Sequence, residues 1–163
     1  MKNTKTYIAL LFTILICVGC GSNRDLGSLD NVAQIVEREN YELEFNWAIP
    51  QSGSQINLID NANHLKFSGD SVYVSLPFFG ERHIGGAYEK DGGINYTGIL
   101  TNLKVSEVTA KDYVQVNFET SRKSENFIYS LILYPGGNSR LQVNSNQRSS
   151  ISFRGVYKES KKE

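Results

Sequence analysis

From Tyr41 onward, apolar residues recur at every second position, in short runs separated by turn residues. Successive side chains of an extended backbone point to opposite faces, so this period specifies strands with one buried face. Tyr41, Leu43, Phe45, Trp47 and Ile49 alternate with Glu42, Glu44, Asn46 and Ala48, and Pro50 ends the run. Leu65 and Phe67 come next, between His64, Lys66 and Ser68, followed by a row of Val72, Val74, Leu76 and Phe78. Ile94 with Tyr96, Val114 with Val116 and Phe118, Leu141 with Val143, and Ile151 with Phe153 continue the series. Phe127 to Tyr134 is apolar on both faces, which predicts a central strand covered on both sides.

The separators carry turn chemistry. Ser68-Gly69-Asp70-Ser71, Lys90-Asp91-Gly92-Gly93 and Pro135-Gly136-Gly137-Asn138 contain residues that tolerate positive φ at little cost. Short strands joined in this way predict an all-β fold, an antiparallel meander closing into a sandwich or a partly open barrel. A membrane-spanning barrel fits poorly. Several strands are too short to cross a bilayer, and Glu42 and Glu44 would face lipid or crowd a small lumen. Ahead of the strands, Ser28 to Glu39 reads as one amphipathic helix: Ser28 caps it, Leu29, Val32, Ile35 and Val36 share a face, and no Gly or Pro interrupts it. Its polar face holds Arg38 between Glu37 and Glu39, too little positive charge for a helix lying on a membrane.

The N-terminus has a different logic. Lys2 and Lys5 precede an apolar stretch from Tyr7 to Val18, then Gly19 and Cys20. This is the layout of a secretory signal, too short for a spanning helix. Val18-Gly19-Cys20 resembles the lipobox of bacterial lipoproteins, with Cys17 where leucine is usual. Residues 1–19 are therefore expected to be a signal peptide, Cys20 the lipidated residue, 20–27 a tether, 28–158 a single β domain with its helix, and 159–163 a polar tail. Cleavage leaves 144 of the 163 residues and no free thiol, so the domain is stabilised by an apolar core rather than a disulfide. The tether reaches at most about 25 Å. The outer membrane is the favoured location, and because Gly21-Ser22-Asn23 shows no acidic cluster after Cys20, its periplasmic face is slightly preferred over the cell surface. With Lys2 and Lys5 removed, 15 basic residues face 17 acidic ones, which excludes electrostatic recognition of nucleic acid.

The least ordinary stretch is SLPFFGERHIGGAYEKDGG, residues 75–93. In an extended segment Glu81 and His83 point the same way, so a carboxylate and an imidazole share a side. Spacings for metal ligation, a nucleophile elbow or a phosphate loop are missing, and neither a metal nor a cofactor is expected. Phe78 continues the core row, whereas Phe79 joins Tyr73 on the other face, as a wedge under another layer or as a binding surface. Tyr73, Phe79, Glu81, Arg82 and His83 are the candidate binding residues. Arg148 and Arg154 form a small basic patch, or else satisfy turn carbonyls and neighbouring carboxylates.

The blocks Gly69-Asp70-Ser71-Val72-Tyr73-Val74-Ser75-Leu76-Pro77-Phe78-Phe79-Gly80, Gly92-Gly93-Ile94-Asn95-Tyr96 and Arg148-Ser149-Ser150-Ile151-Ser152-Phe153-Arg154-Gly155 resemble the domain-of-unknown-function 4251 family. The resemblance runs from about Val32 to Tyr157, and Phe78-Phe79 stands where the family usually has tyrosine-phenylalanine. It implies a small all-β envelope protein of lipoprotein type, of the kind found mainly in Bacteroidetes, and carries over no activity, ligand or catalytic residue. The expectation is a lipid-anchored binding module for a small molecule, peptide, glycan or envelope protein. The alternatives are an envelope hydrolase using Glu81 and His83, or a structural subunit of an envelope complex.

Overall fold

The computed structural model describes residues 27–83 and 92–160. The expected signal peptide, Cys20 and most of the tether, residues 84–91 with the first half of the expected Lys90-Asp91-Gly92-Gly93 turn, and residues 161–163 lie outside them. The helix α1 spans Leu29–Glu37, with the Ser28 side chain accepting from the Asn31 backbone N–H at 3.3 Å. It buries Val32, Ile35 and Val36 and packs chiefly against β7. Glu39, at φ 51°, turns the chain out of the helix into the first strand.

Ten strands follow: β1 Tyr41–Pro50, β2 Ile56–Asn57, β3 His64–Ser68, β4 Ser71–Leu76, β5 Ile94–Ile99, β6 Thr101–Val108, β7 Tyr113–Arg122, β8 Glu125–Leu133, β9 Asn138–Ser145 and β10 Ile151–Glu159. They form one antiparallel sheet in the order β5-β4-β3-β1-β10-β9-β8-β7-β6, with β2 a short addition beside β1. The sheet curls until its two edges approach, giving a barrel that is nearly closed. Two meanders, β3-β4-β5 and β6 to β10, are joined by β1, which lies between β3 and β10. Two of the three expected turns are seen: Gly69 and Asp70 separate the paired Ser68 and Ser71, and Gly136 and Gly137 adopt φ of 86° and 87° between Tyr134 and Asn138.

The seam runs between β5 and β6, which follow each other in the chain but do not pair. Side chains close it where backbone does not. Tyr41 of β1 stacks on Phe67 of β3 at 4.5 Å, Phe67 meets Phe118 of β7 edge-on at 5.3 Å, and Phe118 stacks on Tyr129 of β8 at 4.5 Å. The Tyr129 hydroxyl is paired with Thr120 Oγ1 at 3.2 Å, so this buried polar tip is satisfied. At the rim, Arg122 of β7 donates across the seam to the Asn95 carbonyl of β5 at 3.4 Å.

Three expectations need correction. In β1 the alternation breaks at Asn46, where pairing with β10 shifts register between Phe45 and Trp47. Tyr41, Leu43, Phe45 and then Ala48 are buried, while Trp47 and Ile49 move to the outer face. The bulge is held by Asn63, whose side chain accepts from the Phe45 N–H and donates to the Phe45 carbonyl, both at 2.9 Å, as a strand would. Second, β8 is not covered on both faces: Phe127, Tyr129, Leu131 and Leu133 are buried, but Ile128 is 52% exposed on the outside. Third, Thr101–Val108 forms a strand that the periodicity does not announce. It is exposed along almost its whole length, because it pairs only with β7 and its Leu103 and Val105 line an open groove beside the helix instead of packing into the core.

Gly155 faces Phe45 across the β1–β10 pair, next to the bulge. A Cβ there would collide with the Glu44 carbonyl and lie 2.6 Å from the Phe45 Cα. Backbone cannot yield as a side chain can, so Gly155→Ala should destabilise the fold by about 2 kcal/mol. Urea unfolding will show this as a lower midpoint at unchanged slope.

Candidate functional site

The Pro77–His83 segment leaves the end of β4 and is bound, through backbone, to the connection between β9 and β10. Ser149 N–H donates to the Glu81 carbonyl at 2.9 Å, His83 N–H to the Gln147 carbonyl at 2.8 Å, and Glu81 N–H to Ser149 Oγ at 3.1 Å. Arg82 and Arg148 sit opposite each other in this short antiparallel bridge. That connection is in turn sewn to the β7–β8 turn: Gln147 Nε2 donates to the Ser124 carbonyl at 2.9 Å, and Asn126 N–H to Asn146 Oδ1 at 2.9 Å.

Arg148 is the centre of this corner. Its side chain is 6% exposed and pairs with Glu125, itself 14% exposed, through Nε to Oε1 at 2.6 Å and Nη2 to Oε2 at 2.9 Å. Nη1 donates to the Gly92 and Gly93 carbonyls, both at 3.1 Å, which fixes the entry to β5. The guanidinium lies 5.2 Å from the Phe78 ring and 5.5 Å from the Phe127 ring, so apolar faces cover the charge. Burial alone would raise the Glu125 carboxyl. The hydrogen bonds from Arg148 and Ser145 and the charges of Arg148 and Arg82 outweigh it and hold the group below the usual carboxylate range. Of the two roles considered for Arg148, satisfying carbonyls and a carboxylate is the one this geometry serves.

Glu81, Arg82 and His83 carry exposed side chains. Among the described residues, neither Glu81 nor His83 has a side-chain hydrogen-bond or ionic partner, so nothing there orients the pair as acid and base. Phe79 is half-buried against the core, together with Phe78. Tyr73 is separate from them. It points outward from β4, 42% exposed, into a depression of about 490 Å³. His64, Ser75, Asn95, Thr97 and Arg122 form the rest of its polar lining. The register explains the grouping: His64 opposes Ser75, Tyr73 opposes Thr97 and Ser75 opposes Asn95, so three neighbouring strands present these side chains together. The five candidates therefore do not form one site. Arg122 and His64 join Tyr73 instead, and only the closure of the sheet, which brings β7 to β5, could have indicated Arg122.

A family model, described as a domain of unknown function (DUF4251), matches residues 24–157. The chain belongs to the DUF4251 family. A crystal structure of a DUF4251 family protein from Bacteroides eggerthii superposes with a TM-score of 0.63 at 17% identity, covering 83% of this chain and 89% of that one. At that identity the likeness concerns the fold. No curated protein matches this DUF4251 chain significantly.

The Glu125–Arg148 pair should be visible in stability. Because the folded carboxyl is depressed, the unfolded chain binds more protons, and the stabilisation present above the ordinary carboxyl value near 4.5 is lost as pH falls below it. Glu125→Gln leaves a buried guanidinium uncompensated and should cost about 3 kcal/mol at neutral pH. It should also flatten the acid limb of the stability profile, measured by denaturant unfolding at a series of pH values.

Proposed function

We propose that this DUF4251 protein is a lipid-anchored, non-catalytic binding module of the bacterial cell envelope. The observation that carries the binding reading is the Tyr73 depression. An aromatic face, an imidazole, a guanidinium and amide and hydroxyl groups converge there on an open surface instead of serving the core. Such a mixture suits a small polar ligand with a flat face, a peptide or a glycan. The anchor reading rests on the Lys2 to Cys20 segment. Among the described residues no helix is long and apolar enough to cross a membrane; the attachment in this reading is the lipid on Cys20. The outer membrane is the favoured location, with the domain on its periplasmic face and close to the lipid surface.

Cys20→Ala should move the protein from the membrane fraction to the soluble fraction on cell fractionation; retention in the membrane would overturn the anchor. For binding, a panel of soluble oligosaccharides and short peptides can be tested by thermal shift and then calorimetry. The expected outcome is a ligand whose affinity falls about tenfold in Tyr73→Ala, the effect of removing one aromatic contact. Ligands bound equally well by Tyr73→Ala would place recognition elsewhere.

A further inference from the structure

The bulge at Asn46 has an effect on the opposite side of the molecule from Tyr73. By turning Trp47 and Ile49 outward, it completes two parallel rows across the outer face of β1, β10, β9 and β8. One row runs Trp47, Arg154, Arg140, Ile132, each opposite the next in the ladder. The other runs Ile49, Ser152, Gln142, Ser130. Between them lies a depression of about 440 Å³.

Arg154 and Arg140 are directly opposed, with Cα atoms about 4.5–5.5 Å apart as in any antiparallel pair. Like charges in that position repel and destabilise a sheet. Among the described residues no carboxylate pairs with either. Arg154 Nη2 donates to Gln55 Oε1 at 2.7 Å, and Arg140 lies 6.0 Å from the Tyr134 ring, contacts that hold the side chains but leave both charges uncompensated. Arg148, by contrast, has a full complement of carboxylate and carbonyl partners. The two exposed arginines together carry two positive charges and two planar donor forks over one hollow, with the Ser152 hydroxyl and Gln142 amide in the adjoining row.

We propose that this face binds a phosphate group held between Arg140 and Arg154. A phosphate monoester is a dianion whose tetrahedral oxygens can accept from both forks at once, which neutralises the pair; a single carboxylate occupies one fork and leaves the other charge. Ile49 and Ile132 flank the hollow with apolar surface, so the phosphate is carried by an organic group. The phosphate monoester of a phosphatidic acid headgroup and that of a soluble phosphate ester share this chemistry. The site is separate from the Tyr73 depression and does not depend on its being a binding surface.

The test uses the full chain in nonionic detergent micelles, in chloride buffer of constant ionic strength, titrated with inorganic phosphate by calorimetry. The expected result is saturable binding that weakens about tenfold or more in Arg140→Gln and in Arg154→Gln, and is unchanged in Tyr73→Ala. Without phosphate, both arginine variants should melt no lower than the parent, because each removes one of two facing charges. Micelles doped with phosphatidic acid that suppress the phosphate heat identify a lipid headgroup, whereas competition only by soluble glycerol phosphate identifies a free ester. Absence of saturable binding, or equal binding by the Arg140→Gln/Arg154→Gln double variant, overturns the proposal. A lower melting temperature of the arginine variants without phosphate also overturns it, since the pair would then be structural.

Discussion

A sheet whose edge strands do not pair must be held in a curve by what fills it. Here the filling is a chain of rings, Tyr41 to Phe67 to Phe118 to Tyr129, which crosses the interior from one flank of the seam to the other. The rings alternate stacked and edge-on contacts, the arrangements that aromatic quadrupoles favour. Everything placed near the seam depends on this closure. Arg122 reaches Asn95 only because β7 is held against β5, and the Tyr73 depression exists only because those strands share a rim. The helix adds Val32, Ile35 and Val36 to the same core and borders, with Phe67 and Leu103, an apolar groove of about 370 Å³ beside the seam.

Most of the architecture was legible in the alternation of apolar residues, because burial on one face imposes a period of two wherever a strand has a layer on one side only. The misreadings fall where that condition fails. β6 packs no face into the core, so only Leu103 and Val105 alternate there, too short a run to announce a strand. β8 carries Ile128 and Ile132 on its outer face, so its composition suggests a second layer that does not exist. In β1 the apolar run continues in phase through Trp47 and Ile49, yet the backbone inserts a bulge between Phe45 and Trp47. The reason lies at Asn63, far enough along the chain that no local pattern signals its bonds to Phe45.

The Glu-x-His look of the 75–93 stretch has a structural counterpart with a different meaning. Its backbone supplies a short antiparallel bridge to residues 147–149, and its phenylalanine covers a buried ion pair. The chemistry at this corner goes into joining four segments that would otherwise be independent: the exit of β4, the entry to β5, the β7–β8 turn and the β9–β10 connection. Residue types alone left this loop open as a binding surface or, in the alternative reading, an acid–base pair, because side-chain identity does not show which backbone groups are already committed to a clasp. The exposed arginines of β9 and β10 differ from Arg148 in this respect: their neighbours leave their charge unanswered.

The position of β1 has a consequence for how the chain reaches this state. Its principal partner is β10, with Tyr41 opposite Glu159, so the first strand of the sheet is completed by the last. Nothing shorter than nearly the whole chain can form this pairing, and contacts of such large sequence separation form slowly. A polypeptide threaded unfolded through a membrane from its N-terminus would thus stay without its central ladder until its final residues had emerged. Closure of the barrel therefore waits on β10, the last of its strands to become available.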